Sequence, residues 1–137
     1  MICEMFAFYK TRGIRLLDKL EQIYKAYGYC LNTLHSYEFP GSRGMKKMAS
    51  IMQVFRKGFT TIAGMNVTNI EDYSSGLKGL PKSDVLKFYI DNGSIVVRPS
   101  GTEPKLKIYI SITAENKETA GKTEFRITSE LESMISE

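Results

Sequence analysis

The side chains best suited to binding an anion are concentrated in one short segment, RPSGTEPKLK, which begins at Arg98. The Arg98 guanidinium presents a planar set of donors that fits two oxygens of a phosphate at once. Ser100 and Thr102 add hydroxyl donors. Gly101 can adopt a positive φ and turn neighbouring backbone N–H groups toward one point. With Lys107 as an additional positive charge, this set predicts a loop that binds an oxyanion.

The other residues of this segment affect its shape and its charge. Pro99 and Pro104 restrict the backbone, which lowers the entropic cost of holding one conformation. Glu103 would repel an anion, so we expect it to point away and to pair with Lys105 or Arg98, or to bond to the loop backbone. Two other interpretations stay open at this point, because the loop could be an ordinary turn and its cations a solvated basic surface.

Alternating apolar residues predict strands on both sides of this segment. The dipeptide Asn92-Gly93 is typical of a two-residue type I′ turn, here between strands at Val85–Asp91 and Ser94–Arg98. The resulting register puts four apolar residues on one buried face in two cross-strand pairs, Ile90 with Ile95 and Phe88 with Val97.

The same register gathers positive charge on the opposite face. It sets Lys87 opposite Arg98, and the alternation of the next strand, Lys105–Thr113, directs Lys105 and Lys107 to that face as well. Like charges that face each other across strands are unfavourable, and a bound anion would relieve this cost. The pattern therefore predicts four cations around the loop.

Apolar spacing predicts the remaining elements. The predicted helices are Met1–Thr11, Arg15–Tyr27, a third helix that Ser42 caps and Gly58 ends, and Asn116–Ser136. Further strands are predicted at Tyr29–Phe39 and Ile62–Tyr73, with a loop at Ser74–Ser83. This order predicts an α+β fold, in which helices pack on one face of an antiparallel sheet. The first two helices have broad apolar faces with no evident cover, as expected for the end of a larger domain.

Composition excludes some classes of protein. The 137 residues suit one domain, or a small domain plus a fragment, and no apolar run is long enough to span a bilayer. The net charge of +4 fits a nucleic-acid partner or a small anionic substrate equally well. Cys3, Cys30 and the single histidine, His35, lack the spacing of a metal site. We expect reduced, buried thiols in a cytoplasmic protein without a signal peptide.

A longer stretch around the loop allows a family assignment. The run RPSGTEPKLKIY, residues 98–109, resembles the phosphate-binding loop of the α-D-phosphohexomutases, which include phosphoglucomutases and phosphomannomutases. The preceding LPKSDVLKFYIDNGSIVV, from Leu80, is similar to the phosphoglucomutase branch. The resemblance implies a four-domain enzyme, in which residues 31–137 form the fourth domain, with a TATA-binding-protein-like fold. Residues 1–30 would be the last helices of an incomplete third domain.

The resemblance also implies a role for the loop. In the family this loop holds the non-transferring phosphate of a hexose phosphate, glucose 1-phosphate, glucose 6-phosphate or a mannose equivalent, during 1,6-phosphoryl transfer. The residues carried over are Arg98, Ser100, Gly101 and Thr102, with Lys107 as added charge. Some members have arginine in place of Lys107, and a lysine keeps the charge but loses the second donor.

The parts of the family's active site that this sequence lacks define its expected limits. It contains no phosphoserine loop, no Asp-x-Asp-x-Asp loop for Mg²⁺ and no sugar-binding loop of the family's type. We therefore expect no catalytic residue, metal or cofactor in this fragment, which alone would be inactive. The full-length enzyme would use domains 1–3, Mg²⁺ and a bisphosphohexose. The alternatives are a stand-alone phosphosugar-binding module and a nucleic-acid binder, and we expect neither nucleic acid nor membrane as a partner.

Overall fold

A computed structural model of the chain describes residues 1–136, which form four helices and six strands. The helices are α1 (Ile2–Thr11), α2 (Leu16–Tyr27), α3 (Gly44–Lys57) and α4 (Lys117–Ser136). The strands are β1 (Tyr29–Glu38), β2 (Thr61–Ile62), β3 (Met65–Asp72), β4 (Leu86–Ile90), β5 (Gly93–Pro99) and β6 (Lys105–Ala114).

The six strands form one antiparallel sheet in the order β1-β6-β5-β4-β3-β2. Along the central strands, every second side chain points to one face of the sheet. These inward side chains are buried isoleucine, leucine, valine and phenylalanine residues. Helices α3 and α4 bury their apolar stripes against this face. The arrangement confirms the predicted α+β class, with helices packed on one face of the sheet.

The methionine stripe of α3 lies in this core, as expected for an amphipathic helix. Met52 and Phe55 are almost completely buried, and Met48 is nearly so. The ring of Phe59, just after α3, stacks on Phe88 of β4 with 4.5 Å between ring centroids. Burial of such side chains contributes about 1.5–3 kcal/mol each, so these residues together stabilise the packing of α3 on the sheet.

Helices α1 and α2 differ from α3 and α4 because neither contains a buried residue. Several of their large apolar side chains are half or more exposed, among them Ile2, Phe6 and Leu17. The assignment of residues 1–30 to a preceding domain and of 31–137 to the fourth domain stays a prediction. The two cysteines are free but exposed, which corrects the expectation that they are buried. None of the helices within residues 1–136 is both long and apolar enough to cross a bilayer.

The start of α3 corrects a predicted cap. The helix begins at Gly44, Arg43 occupies the N-cap position, and no side chain caps the helix. Ser42 instead lies in a turn, which the Gly44 N–H closes by donating to the Gly41 carbonyl at 3.1 Å. A Cβ on Gly44 would lie 1.8 Å from the Phe39 carbonyl oxygen, so close packing against β1's end fixes where the helix starts.

The predicted strand Ile62–Tyr73 is two strands, β2 and β3, joined by a tight turn at Ala63-Gly64. Both turn residues have positive φ, 51° and 78°, as a type I′ turn requires. An alanine does not signal this conformation, and α4 supplies the stabilising contacts. The Glu130 carboxylate accepts a hydrogen bond from the Ala63 N–H at 2.7 Å, and Arg126 donates to the Ala63 carbonyl.

The turn between β4 and β5 is Asp91-Asn92, one residue earlier than predicted. Gly93 belongs to β5 and pairs with Ile90. A Cβ on Gly93 would lie 2.0 Å from the Ser111 carbonyl oxygen of β6. The close approach of β5 and β6 therefore requires a glycine here, and the turn does not. The register moves by two residues, which keeps the same four apolar side chains on the buried face.

One acidic side chain, Glu71 of β3, is buried with only 7% exposure. It accepts hydrogen bonds from the hydroxyls of Tyr73 at 2.8 Å and Tyr89 at 2.9 Å, and it pairs with Lys78. The hydrogen bond from Lys78 and those from the two hydroxyls lower the pKa of Glu71 from 4.5 to about 2. Through Tyr73 and Lys78, these contacts attach the loop that follows β3 to the sheet.

Glu71→Gln should reveal a pH-dependent part of the stability. Because the folded-state pKa of Glu71 is lowered, its stabilisation is complete above about pH 4.5 and is lost as the pH falls toward 2. We expect the urea midpoints of wild type and Glu71→Gln to differ most near neutral pH and to converge near pH 2. Glu115→Gln, at an exposed unpaired carboxylate, should leave the midpoint unchanged. A gap that stays constant across this range would contradict the assignment.

Candidate anion-binding site

The predicted anion-binding loop connects β5 to β6 at one end of the sheet. Arg98 and Pro99 are the last residues of β5, and Lys105 begins β6. The Ser100 N–H donates to the Lys105 carbonyl at 2.7 Å and closes the loop at its base. The Phe39 N–H donates to the Pro104 carbonyl at 2.8 Å, which anchors the loop to the end of β1. These two hydrogen bonds hold the base of the loop against β6 and the end of β1. The groups at the tip of the loop are not needed to hold it in place.

The tip of the loop carries donors that have no partner within residues 1–136. The backbone N–H groups of Gly101, Thr102 and Glu103 donate to no acceptor there, and neither do the hydroxyls of Ser100 and Thr102. Gly101, Thr102 and Glu103 are exposed. Such groups are solvated by water, which an oxyanion can displace while keeping the hydrogen bonds. The tip is open, and no side chain of the loop fills it.

Gly101 does not adopt the conformation that the sequence suggested. Its φ lies outside the left-handed region, so the predicted nest around a positive-φ glycine is not formed. A Cβ built at this position would meet nothing within 4 Å. Neither the backbone nor the packing of the described chain requires a glycine there. What the missing side chain provides is access to the neighbouring N–H groups.

Two of the four predicted cations lie side by side at the loop. Arg98 of β5 is directly opposite Lys107 of β6, and neither forms an ion pair within the described part of the chain. Lys105 is neutralised, because its Nζ lies 2.9 Å from Glu38 and 3.6 Å from Glu103. The hydrogen bond to Glu38, with the two carboxylate charges, raises the pKa of Lys105. The pairing of Glu103 with Lys105 confirms the orientation expected for that carboxylate.

Lys87 does not join this group. It lies opposite Val96, and its Nζ is 4.5 Å from the centroid of the Tyr89 ring. The error follows from the misplaced turn between β4 and β5, since a shift of two residues removes Lys87 from the row that contains Arg98. Ser36 of β1 occupies that row instead, on the other side of Lys107. The sequence could not indicate Ser36, because the pairing of β1 with β6 joins residues from opposite ends of the fold.

A cleft of about 420 Å³ lies between the loop and α3. Its walls are Met45, Met48, Ala49 and Met52 of α3, Arg98–Gly101 of the loop, and Ser83 and Asp84 before β4. This space is many times the roughly 30 Å³ that one water occupies in the liquid, so a phosphoryl group can enter it. The apolar wall and the polar loop together form one concave surface beside the unpaired donors.

His35 has a structural role. Its Nε2 lies 2.6 Å from a carboxylate oxygen of Glu124 and 3.3 Å from the Thr33 hydroxyl, so it joins β1 to α4. Within residues 1–136, no group of three or more His, Cys, Asp or Glu residues could hold a metal ion.

Comparison with known families places this arrangement in context. Residues 38–126 match the family model described as phosphoglucomutase/phosphomannomutase, C-terminal domain. The matched region runs from the end of β1 into α4 and contains the whole loop.

Individual relatives agree with this match. The phosphoglucomutase of Staphylococcus saprophyticus is 40% identical over 116 residues, which cover 76% of this chain and 21% of the relative. A phosphoglucomutase of Staphylococcus aureus is 40% identical over 119 residues, 78% of this chain and 22% of the relative. The chain thus spans about a fifth of the length of these relatives.

A solved structure shows the same fold. The open form of pp63/parafusin from Paramecium, described as a phosphoglucomutase, superposes with a TM-score of 0.58 at 19% identity. The superposition covers 93% of this chain and 25% of the other. At this level of identity the similarity supports the architecture alone.

Gly101→Ala should separate binding from folding. Because a methyl group there would meet no atom of the protein, we expect the unfolding free energy to stay within about 0.5 kcal/mol of wild type. The methyl group would obstruct an anion approaching the Gly101 and Thr102 N–H groups, so affinity for inorganic phosphate should fall severalfold. NMR titration of the amide resonances measures both shift and affinity.

Gly121→Ala in α4 is the matched control for this substitution, since a Cβ there also meets nothing. It should raise stability by up to about 1 kcal/mol and leave phosphate affinity unchanged. Equal phosphate affinity of Gly101→Ala and wild type would count against the loop as the anion site.

Proposed function

Because the chain belongs to the phosphoglucomutase/phosphomannomutase family, we propose that its β5–β6 loop binds the non-transferring phosphate of a hexose phosphate. Phosphoryl transfer would take place on other domains of the full-length enzyme. The observation that carries this proposal is the pair of cations, Arg98 and Lys107, which face each other without a carboxylate partner in the described chain. They stand beside the free N–H groups of the loop tip.

A phosphate dianion suits this set of groups in charge and in geometry. It would offset the repulsion between Arg98 and Lys107, which lie directly opposite each other. Arg98 can bind two phosphate oxygens at once, whereas Lys107 contributes a single point charge. Each hydrogen bond that involves a charged group contributes about 1.5–3 kcal/mol. The hydroxyls of Ser100 and Thr102 and the N–H groups of the tip can take the remaining oxygen.

The loop would act by positioning the substrate and neutralising its charge. Its donors recognise the phosphoryl oxygens, so the contribution of the loop is to hold and orient the phosphate and to offset its charge. A bisphosphohexose that reorients between two transfer steps presents either of its phosphates to the same place. Recognition of phosphate rather than of the sugar serves this purpose. Selection among hexoses would then belong to other domains.

Arg98→Gln should abolish most of the binding. We expect glucose 1-phosphate and glucose 6-phosphate to shift the Gly101 and Thr102 amide resonances of wild type, with a dissociation constant on the order of millimolar because only one end of the ligand is held. Loss of the guanidinium should weaken this at least tenfold, the equivalent of about 1.4 kcal/mol.

Lys117→Gln removes the same charge from an exposed position on α4 that has no ion pair within residues 1–136, and it should leave binding unchanged. Sugar phosphates that shift resonances elsewhere, while those of Gly101 and Thr102 stay in place, would refute the site assignment.

The 137-residue chain alone should not catalyse mutase turnover. We expect no conversion of glucose 1-phosphate above background when the pure chain is supplied with Mg²⁺ and a bisphosphohexose, because the sequence has no phosphoserine loop of the family's type to accept and return the phosphoryl group. A coupled assay for glucose 6-phosphate measures this. Turnover that rises in proportion to the chain's concentration would show that the chain itself contains the transfer chemistry.

A further inference from the structure

One carboxylate stands in the wall of the cleft that the loop lines. Asp84 precedes β4 and shares the cleft with Arg98, Ser100 and Gly101. The Asp84 side chain is half-exposed. A negative charge so placed can oppose an incoming phosphate or pair with Arg98, and both effects would weaken phosphate binding.

Arg56 engages this carboxylate from α3. Its guanidinium pairs with Asp84, and its Nε donates to Oδ2 of Asp72 at 3.1 Å. Oδ1 of Asp72 in turn accepts a hydrogen bond from the Ser74 N–H at 2.8 Å. The guanidinium is only about one-fifth exposed, so the bridge between the two acids is partly shielded from solvent. Two fixed acceptors thus hold Arg56 in one orientation.

We propose that Arg56 is a positioning residue for the phosphate site: it sequesters the Asp84 carboxylate and thereby keeps Arg98 available to the anion. This inference rests on the proposed function of the loop. It explains why Arg98 has no ion pair within residues 1–136 although a carboxylate lines the same cleft. Arg98 and Asp84 are the charged residues that line this cleft among the described residues, and Asp84 pairs with Arg56 of α3 instead of with Arg98.

A purely structural role for Arg56 makes different predictions. The bridge also joins the end of β3 to the start of β4, so its loss should lower stability in either case. Only the positioning role predicts that phosphate affinity depends on whether Asp84 is charged. The decisive comparison is therefore a double-mutant cycle on these two residues, measured by binding.

The experiment titrates inorganic phosphate into wild type, Arg56→Gln, Asp84→Asn and the double variant, following the Gly101 and Thr102 amide resonances at low salt. Arg56→Gln should bind phosphate about three- to tenfold more weakly, and the loss should shrink as the ionic strength rises. The double variant should regain affinity to within about twofold of wild type, because the released carboxylate is gone. Lys57→Gln, one residue further along α3, removes an exposed unpaired charge and should have no comparable effect.

The outcomes distinguish this inference from the function on which it rests. Failure of wild type to show phosphate-induced shifts at the loop would overturn both. Binding by wild type with no loss in Arg56→Gln would overturn the positioning role alone, as would a double variant that stays as weak as Arg56→Gln. If Arg56→Gln does not fold, Asp84→Asn decides the matter. That variant should bind phosphate at least as tightly as wild type, and weaker binding would refute the inference.

Discussion

Arg98 and Lys107 face each other across β5 and β6, and this repulsion is the constraint to which the rest of the site is fitted. Two cations in one row of a sheet weaken the pairing of the strands that carry them. The structure tolerates them because their strands lie in the middle of the sheet, where the inward side chains of β5 and β6 are completely buried. The buried face stabilises the strands, and the outward face is left free to hold unbalanced charge.

Several acidic residues of the described chain pair with other cations, and within it Arg98 and Lys107 are left without a counter-charge. Glu38 and Glu103 neutralise Lys105, Glu71 takes Lys78, and Asp84 pairs with Arg56. Each of these carboxylates engages a cation outside the row of Arg98. The pattern agrees with the anion-binding role proposed for the loop. A single surface ion pair contributes little to stability. The arrangement of these pairs matters here because it leaves Arg98 and Lys107 without a counter-charge in the described chain.

Much of the fold could be predicted from the spacing of the apolar residues in the sequence. The helices, the core strands and the inward residues of β6 were predicted, because buried residues recur with the period of their element. The errors fall where a close backbone approach or a distant contact overrides local signals. Gly93 looked like a turn residue but serves a contact with Ser111, and Ala63 takes a positive φ that α4 stabilises. Gly101 was expected to take a positive φ and does not, so its part in the site stays a prediction that rests on the open space around it.

The same limits apply to the site. Arg98, Ser100, Thr102 and Lys107 are close in sequence, so local reasoning brought them together. Arg56, Asp84 and Ser36 reach the same region only through tertiary pairing, which no spacing in the sequence indicates. Lys87 was included wrongly because cross-strand neighbours depend on the exact turn.

The contacts of α4 near both edges of the sheet have a consequence for the folding of the newly made chain. Through Glu124 it holds His35 in the edge strand β1, and through Glu130 and Arg126 it holds the Ala63 turn near the opposite edge. These contacts join residues that are 89, 67 and 63 positions apart. Since α4 follows all six strands in chain order, a ribosome would have made the whole sheet before this second covering helix. Until then, the part of the apolar face that α4 covers would be exposed, and exposed apolar surface of this kind favours aggregation of the newly made chain.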